Sequence, residues 1–473
     1  MVFNEYSFKD LLIDIVDNRG RTCPIADIGI PLIATNCIKN TGLYPAYEKI
    51  RYVSDETYKN WFRGHPQPGD MIFVCKGSPG NICWVPDPVS FCIAQDMVAI
   101  RADITKIYPK YLFALLRSEM VQKQILNMHV GTLIPHFKKG DFTNLYLQVP
   151  ADMDYQCKVG DVYFLFCEKI EYNHQINQTL EQIAQALFKS WFVDFEPVKA
   201  KIAALDAGGT LEDATLAAMT AISSKDATAL VVFSHEQPEQ YAELKATAEL
   251  FPAAMQESEL GEIPQGWEEE LLGNVAAYLS RGISPKYLES GGLLVLNQKC
   301  IRDFRVDASK GRRHDPSQRK VDGREIQVGD VLINSTGVGT LGRVAQVHHL
   351  DEVTIVDSHV TVVRAGAKLT ASYLGQYMGW KQPEIEAMGE GSTGQTELSK
   401  LKLAEKIILI PPKGILAKFD KLIYSINSKI SANERDSQSL TQLRDTLLPK
   451  LLSGEITLPE AEAWAAQTEP QEA

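Results

Sequence analysis

The 473-residue sequence holds eight cysteines but no C-x-x-C pair. Thiols scattered as Cys23, Cys37, Cys75, Cys83, Cys92, Cys157, Cys167 and Cys300 suit a reducing compartment and argue against a disulfide framework or a zinc site. No apolar run approaches the ~20 residues that span a bilayer. The opening stretch, MVFNEYSFKDLLIDIVDNRG, is charged and lacks a signal-peptide layout, so a cytoplasmic location is expected. Also missing are G-x-x-x-x-G-K-[ST], H-E-x-x-H, G-x-S-x-G and the DPPY or NPPY tetrapeptide of an amino-methyltransferase. The chain is therefore expected to be non-catalytic, with no cofactor and no metal of its own.

A basic excess is lacking too, since the net charge is −12. Its distribution keeps nucleic acid in play. From Asp194 to Glu270 sixteen acids face four lysines, and Glu455 to Ala473 adds five acids and no base, which leaves +5 on everything else. Local basic patches matter more than the total for binding phosphate.

What the sequence does have is itself, twice. Leu180, Gln182 and Leu187 of NQTLEQIAQALFKSWF recur 260 positions later as Leu440, Gln442 and Leu447 of SQSLTQLRDTLLPKLL. QPGDMIF (Gln67 to Phe73) recurs as QVGDVLI (Gln327 to Ile333), and Gly77 and Gly131 as Gly337 and Gly391, at the same offset. Such periodicity marks two copies of one unit. In each copy short β-like runs with Gly and Pro turns precede a short helix, a Gly-rich loop, a strand ending in proline and one long amphipathic helix.

The expected fold is α+β: two α/β domains separated by two long antiparallel helices that form an intramolecular coiled coil, an internal pseudo-two-fold duplication. The expected boundaries are 1–150 and 257–412 for the two α/β domains, 151–198 and 413–455 for the repeat helices, 199–256 for an acidic, alanine-rich insertion, and 456–473 for an acidic tail. Asn173, Ile176, Leu180, Ile183 and Leu187 fall at alternating steps of three and four, an a/d seam; Asn433, Asp436, Leu440, Leu443 and Leu447 take the same slots. A polar Asn on an apolar seam fixes register and partner. Antiparallel pairing places one domain at each end of a spacer, and B-DNA has matching two-fold axes.

Candidate DNA contacts lie in the loops of the β-rich domains. In the first copy they are Lys76, Ser78, His136, Lys138 and Lys139. In the second they are Lys299, Arg302, Arg312, Arg313, Arg319, Lys320, Thr336, Arg343, Gln395 and Lys400. Lys and Arg suit phosphates and guanine edges, and Gln pairs with adenine. The run KGRRHDPSQRK (Lys310 to Lys320) is the densest basic stretch among them. GVGTLG (Gly337 to Gly342) fits G-x-G-x-x-G, but a dinucleotide site needs a helix next, and RVAQV reads as a strand.

With GTLIPHFKKGDFTNLYLQVP, LEQIAQALFKSWFVDFEPVKAK, ESELGEIPQGW and LTQLRDTLLPKLLSGEI in place, the chain resembles, over nearly its full length, the specificity (S) subunits of type I restriction–modification enzymes. The resemblance implies two target-recognition domains reading a bipartite, asymmetric double-stranded DNA target. It also implies a pair of docked methyltransferase (M) subunits, and restriction (R) subunits reached through the complex. Methylation and cleavage then belong to those partners. The insertion departs from the plain family pattern. The contrasting expectation, from the low overall charge, is a coiled-coil scaffold whose β-rich domains bind proteins.

Overall fold

MIFV (Met71–Val74) and VLIN (Val331–Asn334) are buried at every position because alternate side chains of a strand face opposite ways and each strand lies between two cores. Met71 and Phe73 face one core, Ile72 and Val74 another. The computed structural model describes residues 2–18, 20, 22–47, 49–128, 136–337, 339–389 and 397–456. It divides into Met1–Gln175 with Asn433–Ala473, and Ile176–Ala432.

In the first unit a four-stranded antiparallel sheet runs Leu12–Val16, Met97–Ala102, Met71–Val74, Ile82–Trp84. A three-stranded sheet sets Ile30–Ile33 antiparallel to Arg51–Val53 and parallel to Cys92–Ile93. Phe3–Ser7 pairs with Tyr146–Pro150. The second unit repeats this plan: Ala276–Arg281, Val360–Ala365, Val331–Asn334, Val344–Gln346 in the same order, with a register shift in the first strand as in the first unit. Leu293–Leu296 lies parallel to Thr354–Val356 and antiparallel to Arg312–His314, and Glu268–Leu271 pairs with Ile407–Ile410. Asp70 and Asp330, equivalent residues of the repeated G-D turn, are each buried against one arginine, Arg101 and Arg364.

Two long helices, Met153–Phe192 and Lys413–Ser453, follow the sheets. In the first unit the Tyr155 hydroxyl donates to Leu451 O at 2.6 Å, and Asn173 Nδ2 donates to Asp436 Oδ2 at 2.9 Å and Ser437 Oγ at 3.2 Å. In the second, Asn177 Nδ2 donates to Ile430 O at 3.4 Å and the ring of Trp191 lies 5.9 Å from that of Phe419. In both, rising numbers on one helix meet falling numbers on the other, so the pairing is antiparallel.

The seam differs from the expected one. Ile176 and Ile183 are 44% and 50% exposed, while Asn173, Asn177, Ala184, Phe188 and Trp191 are buried. Leu180 and Leu187 are half-buried. On the second helix Asn433, Ser437, Arg444 and Leu447 are buried and Asp436, Leu440 and Leu443 half-buried. With half-buried Leu180 counted between Asn177 and Ala184, the steps from 173 to 191 average about 3.6, the period of a straight helix, whereas the expected a/d spacing averages about 3.5 and drifts off the contact line.

The insertion folds as four helices: Glu196–Asp206, Leu211–Ser223, Ala227–Glu236 and Pro238–Glu249. Thr210 and Asp226 cap two of them, accepting from Asp213 N at 3.2 Å and Ala229 N at 2.8 Å. Ala218, Met219, Leu230 and Ala248 form a small core, and Glu243 reaches Lys421 Nζ at 2.7 Å on the second long helix. No single helix among the described residues is long and apolar enough to cross a membrane.

Candidate nucleic-acid interface

Each unit ends its central strand in a turn that needs a left-handed glycine, Gly77 with φ +89° and Gly337 with φ +105°. The chain just beyond that strand end is tied to the loop leading into the last strand. Lys76 bridges His136 and Thr336 bridges Glu397, each antiparallel, with Phe137 N on Cys75 O and Leu398 N on Ser335 O, both at 2.8 Å. Phe137 and Leu398 are buried anchors, so the polar residues flanking them are held at the rim of the sheet.

In the first unit this brings together Lys76, Ser78, His136 and Lys138. Lys76, Ser78 and Lys138 are exposed and His136 is half-buried. Lys138 N donates to Asp141 Oδ2 at 2.7 Å, and Lys139 opens the short 3-10 helix Lys139–Thr143. In the second unit Lys400 is exposed at the start of the helix Lys400–Ala404, next to Ser399, whose hydroxyl accepts from Lys402 N at 3.4 Å. Gln395 lies outside the described residues, as do Gly131 and Gly391.

The basic run is not gathered into one patch. Arg312 and Arg313 are consecutive on the strand Arg312–His314 and therefore point to opposite faces. The Arg312 guanidinium lies 3.4 Å from the Tyr287 ring centroid, and Arg313 Nη1 binds Glu352 Oε2 at 2.6 Å. Arg319 Nη1 donates to Ser284 O at 3.1 Å, and Lys320 is exposed. Lys299 is exposed on the turn Gln298–Cys300, Arg302 pairs with Asp303 at 3.3 Å, and Arg343 Nη2 donates to Gly339 O at 2.9 Å.

Around Thr336 the structure adds Gln298, His359, Asp357 and Glu397, which sequence spacing passed over. Thr336 Oγ1 lies 2.8 Å from His359 Nδ1 and 3.5 Å from Gln298 Oε1, and Glu397 is paired with Arg281. Beneath them the His359 amide donates to Asp357 Oδ1 at 2.9 Å, and burial pushes the Asp357 carboxyl above its usual range. The available signal was positional: His359 directly precedes a strand whose counterpart in the first copy is preceded by Asp96.

GVGTLG leads into the strand Val344–Gln346, so no helix N-terminus follows Gly342 to meet a pyrophosphate. The dinucleotide alternative ends there. Among the described residues no cluster of His, Cys, Asp or Glu is arranged to hold a metal.

Residues 22–182 match the model of the type I restriction modification DNA specificity domain. The specificity subunit of the type I restriction enzyme HindI from Haemophilus influenzae is 30% identical over 465 residues, covering 94% of this chain and 93% of that protein. The chain belongs to the type I restriction enzyme specificity subunits. A second member, the MjaIX specificity subunit of Methanocaldococcus jannaschii, is 24% identical over 79% of this chain and 76% of its own length. The fold is that of the type I restriction–modification S subunit from M. genitalium, with a TM-score of 0.52 at 14% identity over 95% of this chain and 96% of that one. Specificity subunits supply DNA recognition and carry no catalytic activity themselves.

Proposed function

We propose that this specificity subunit reads a bipartite, asymmetric DNA target, one half-site with each α/β unit, and docks two methyltransferase subunits through its long helices, with restriction subunits joining through them. The observation that carries the reading is one sheet order built twice with different side chains at the rim. Two identical rims would suit a palindrome; Lys76 with His136 against Thr336 with Glu397 suits two unlike half-sites.

The docking half of the proposal is supported by an exposed apolar stripe. Leu165, Tyr172, Ile176 and Ile183 are 63%, 60%, 44% and 50% exposed on the first long helix. Leu165 and Tyr172 in the first unit are seven apart, as are Ile176 and Ile183 in the second, which keeps each pair within about 20° of one line along its stretch of helix. Apolar side chains continuous on one face of a water-exposed helix mark a surface for a partner.

The test is a genome-wide map of modified adenines in cells expressing this subunit with its neighbouring methyltransferase subunit, and again without it. A split, asymmetric motif methylated only in its presence is expected. Unchanged methylation from a soluble, assembled complex would overturn the proposal. DNA binding by the complex is expected to weaken steeply with salt, because phosphate contacts release counterions; salt-independent behaviour would favour a protein scaffold.

A further inference from the structure

The two units share a register around the rim but not its chemistry. Ser335 N donates to His359 O at 2.8 Å as Cys75 N donates to Asp96 O at 2.9 Å, which makes His359 the counterpart of Asp96. The bridges align Thr336 with Lys76 and Glu397 with His136. One rim thus presents a lysine, an aspartate and a histidine. The other presents a threonine, a histidine and a glutamate paired with Arg281.

In the second unit three of the rim residues form one hydrogen-bonded chain. Thr336 Oγ1 stands between His359 Nδ1 and Gln298 Oε1. The three come from separate elements: the turn Gln298–Cys300, the loop after Val331–Asn334, and the residue before Val360–Ala365. The backbone of Gln298 is fixed from below by Asn334 Nδ2, which donates to the Gln298 main-chain carbonyl at 3.1 Å. His359 is exposed, and Thr336 and Gln298 are half-buried. A hydroxyl has one proton, so if Thr336 gives it to Gln298 the imidazole must carry its proton on Nδ1, and if it gives it to Nδ1 the ring carries its proton on Nε2. Only the first arrangement joins all three residues, and it leaves the Gln298 amide nitrogen facing outward as a donor and His359 Nε2 as an acceptor; among the described residues neither has a partner.

We propose that Gln298 and His359 are specificity-determining residues of the second unit, positioned by Thr336, and that they hydrogen-bond the major-groove edge of a purine. This rests on the DNA-reading role proposed above. One outward donor and one outward acceptor match the adenine edge, which offers N7 as an acceptor and the N6 amino group as a donor. Charge at the same register positions of the first unit, Lys76 and Asp96, predicts a different base preference there.

The experiment is methylation-motif sequencing with the assembled complex, comparing the unaltered subunit with Gln298→Ala, His359→Asn, Thr336→Val and Thr336→Ser, each checked by thermal melting. Loss of roughly tenfold or more in discrimination at one or two positions of a single half-site is expected for the first three, with the other half-site intact. Thr336→Ser, which keeps the hydroxyl, is expected to retain the motif. If the unaltered complex methylates a split motif and folded Gln298→Ala and His359→Asn complexes methylate that same motif with unchanged preferences, this inference fails and DNA reading stands. If the unaltered complex shows no split motif, both fall.

Discussion

The Asp70 carboxylate takes both prongs of the Arg101 guanidinium, Nε at 2.8 Å and Nη2 at 3.0 Å, and its Oδ2 also accepts Gln67 N at 2.8 Å. The second unit repeats the arrangement, with Asp330 on Arg364 at 2.7 Å twice and on Gln327 N at 2.8 Å. Each aspartate therefore locks the turn that launches the central strand to the strand beside it.

Breaking a buried pair by neutralising one partner leaves the other charge uncompensated. Asp70→Asn and Asp330→Asn are each expected to destabilise their own unit by about 2–4 kcal/mol, since the new amide sets an N–H against guanidinium donors. Chemical denaturation followed by hydrogen exchange in each unit reads this. A loss below about 0.5 kcal/mol in either would mean that the turn holds without the pair.

The helix seam gives a sharper contrast. Phe188 is 2% exposed whereas Ile183 is half in solvent. Phe188→Ala is expected to cost about 3–5 kcal/mol and Ile183→Ala less than about 1 kcal/mol. Equal losses in denaturant midpoint would restore the heptad seam and remove the straight-helix one.

The duplication was legible because its anchors, the Gly-Asp turn and the long helix, are local in sequence and survive divergence as identical letters. Both helices and the strand after GVGTLG could be read from periodicity alone. The seam could not, because steps averaging 3.5 and 3.6 separate only over several turns, and Ile176 and Ile183 are as apolar as the residues that are buried. The rim was half legible. Lys76 and His136 stood out by residue type, but the chain from Gln298 through Thr336 to His359 joins residues 38 and 23 apart in sequence, and only the folded register brings them together. The basic run misled for a related reason: strand alternation sends Arg312 and Arg313 to opposite faces, where Tyr287 and Glu352 already engage them.

Asp357 predicts a pH dependence. Its carboxyl is pushed up by burial, so the folded state holds the proton more tightly than the unfolded chain does. A raised carboxyl favours folding most below its unfolded value and loses that contribution as pH rises through the folded one. Asp357→Asn keeps an oxygen to accept the His359 amide and removes the buried charge. The variant is expected to melt higher than the parent at pH 8, with the difference shrinking as pH falls towards about 4. Melting curves that run parallel across that range would show that burial of Asp357 carries no charge penalty.

The stripe on the first long helix makes the docking proposal quantitative. At the 260-residue offset, Leu165, Tyr172, Ile176 and Ile183 correspond to Ser425, Ala432, Asp436 and Leu443, so the second helix lacks the same apolar line. Burying an exposed apolar side chain against a partner is worth about 1–2 kcal/mol. Tyr172→Glu and Ile176→Glu are therefore each expected to weaken methyltransferase-subunit binding roughly tenfold while moving stability by less than about 0.5 kcal/mol, because neither side chain is in the core. Titration of the methyltransferase subunit against each variant, followed by calorimetry, checks both halves at once. Binding unchanged by the pair of substitutions would place the methyltransferase on another surface, and a large loss of stability would mean that the stripe packs within this chain.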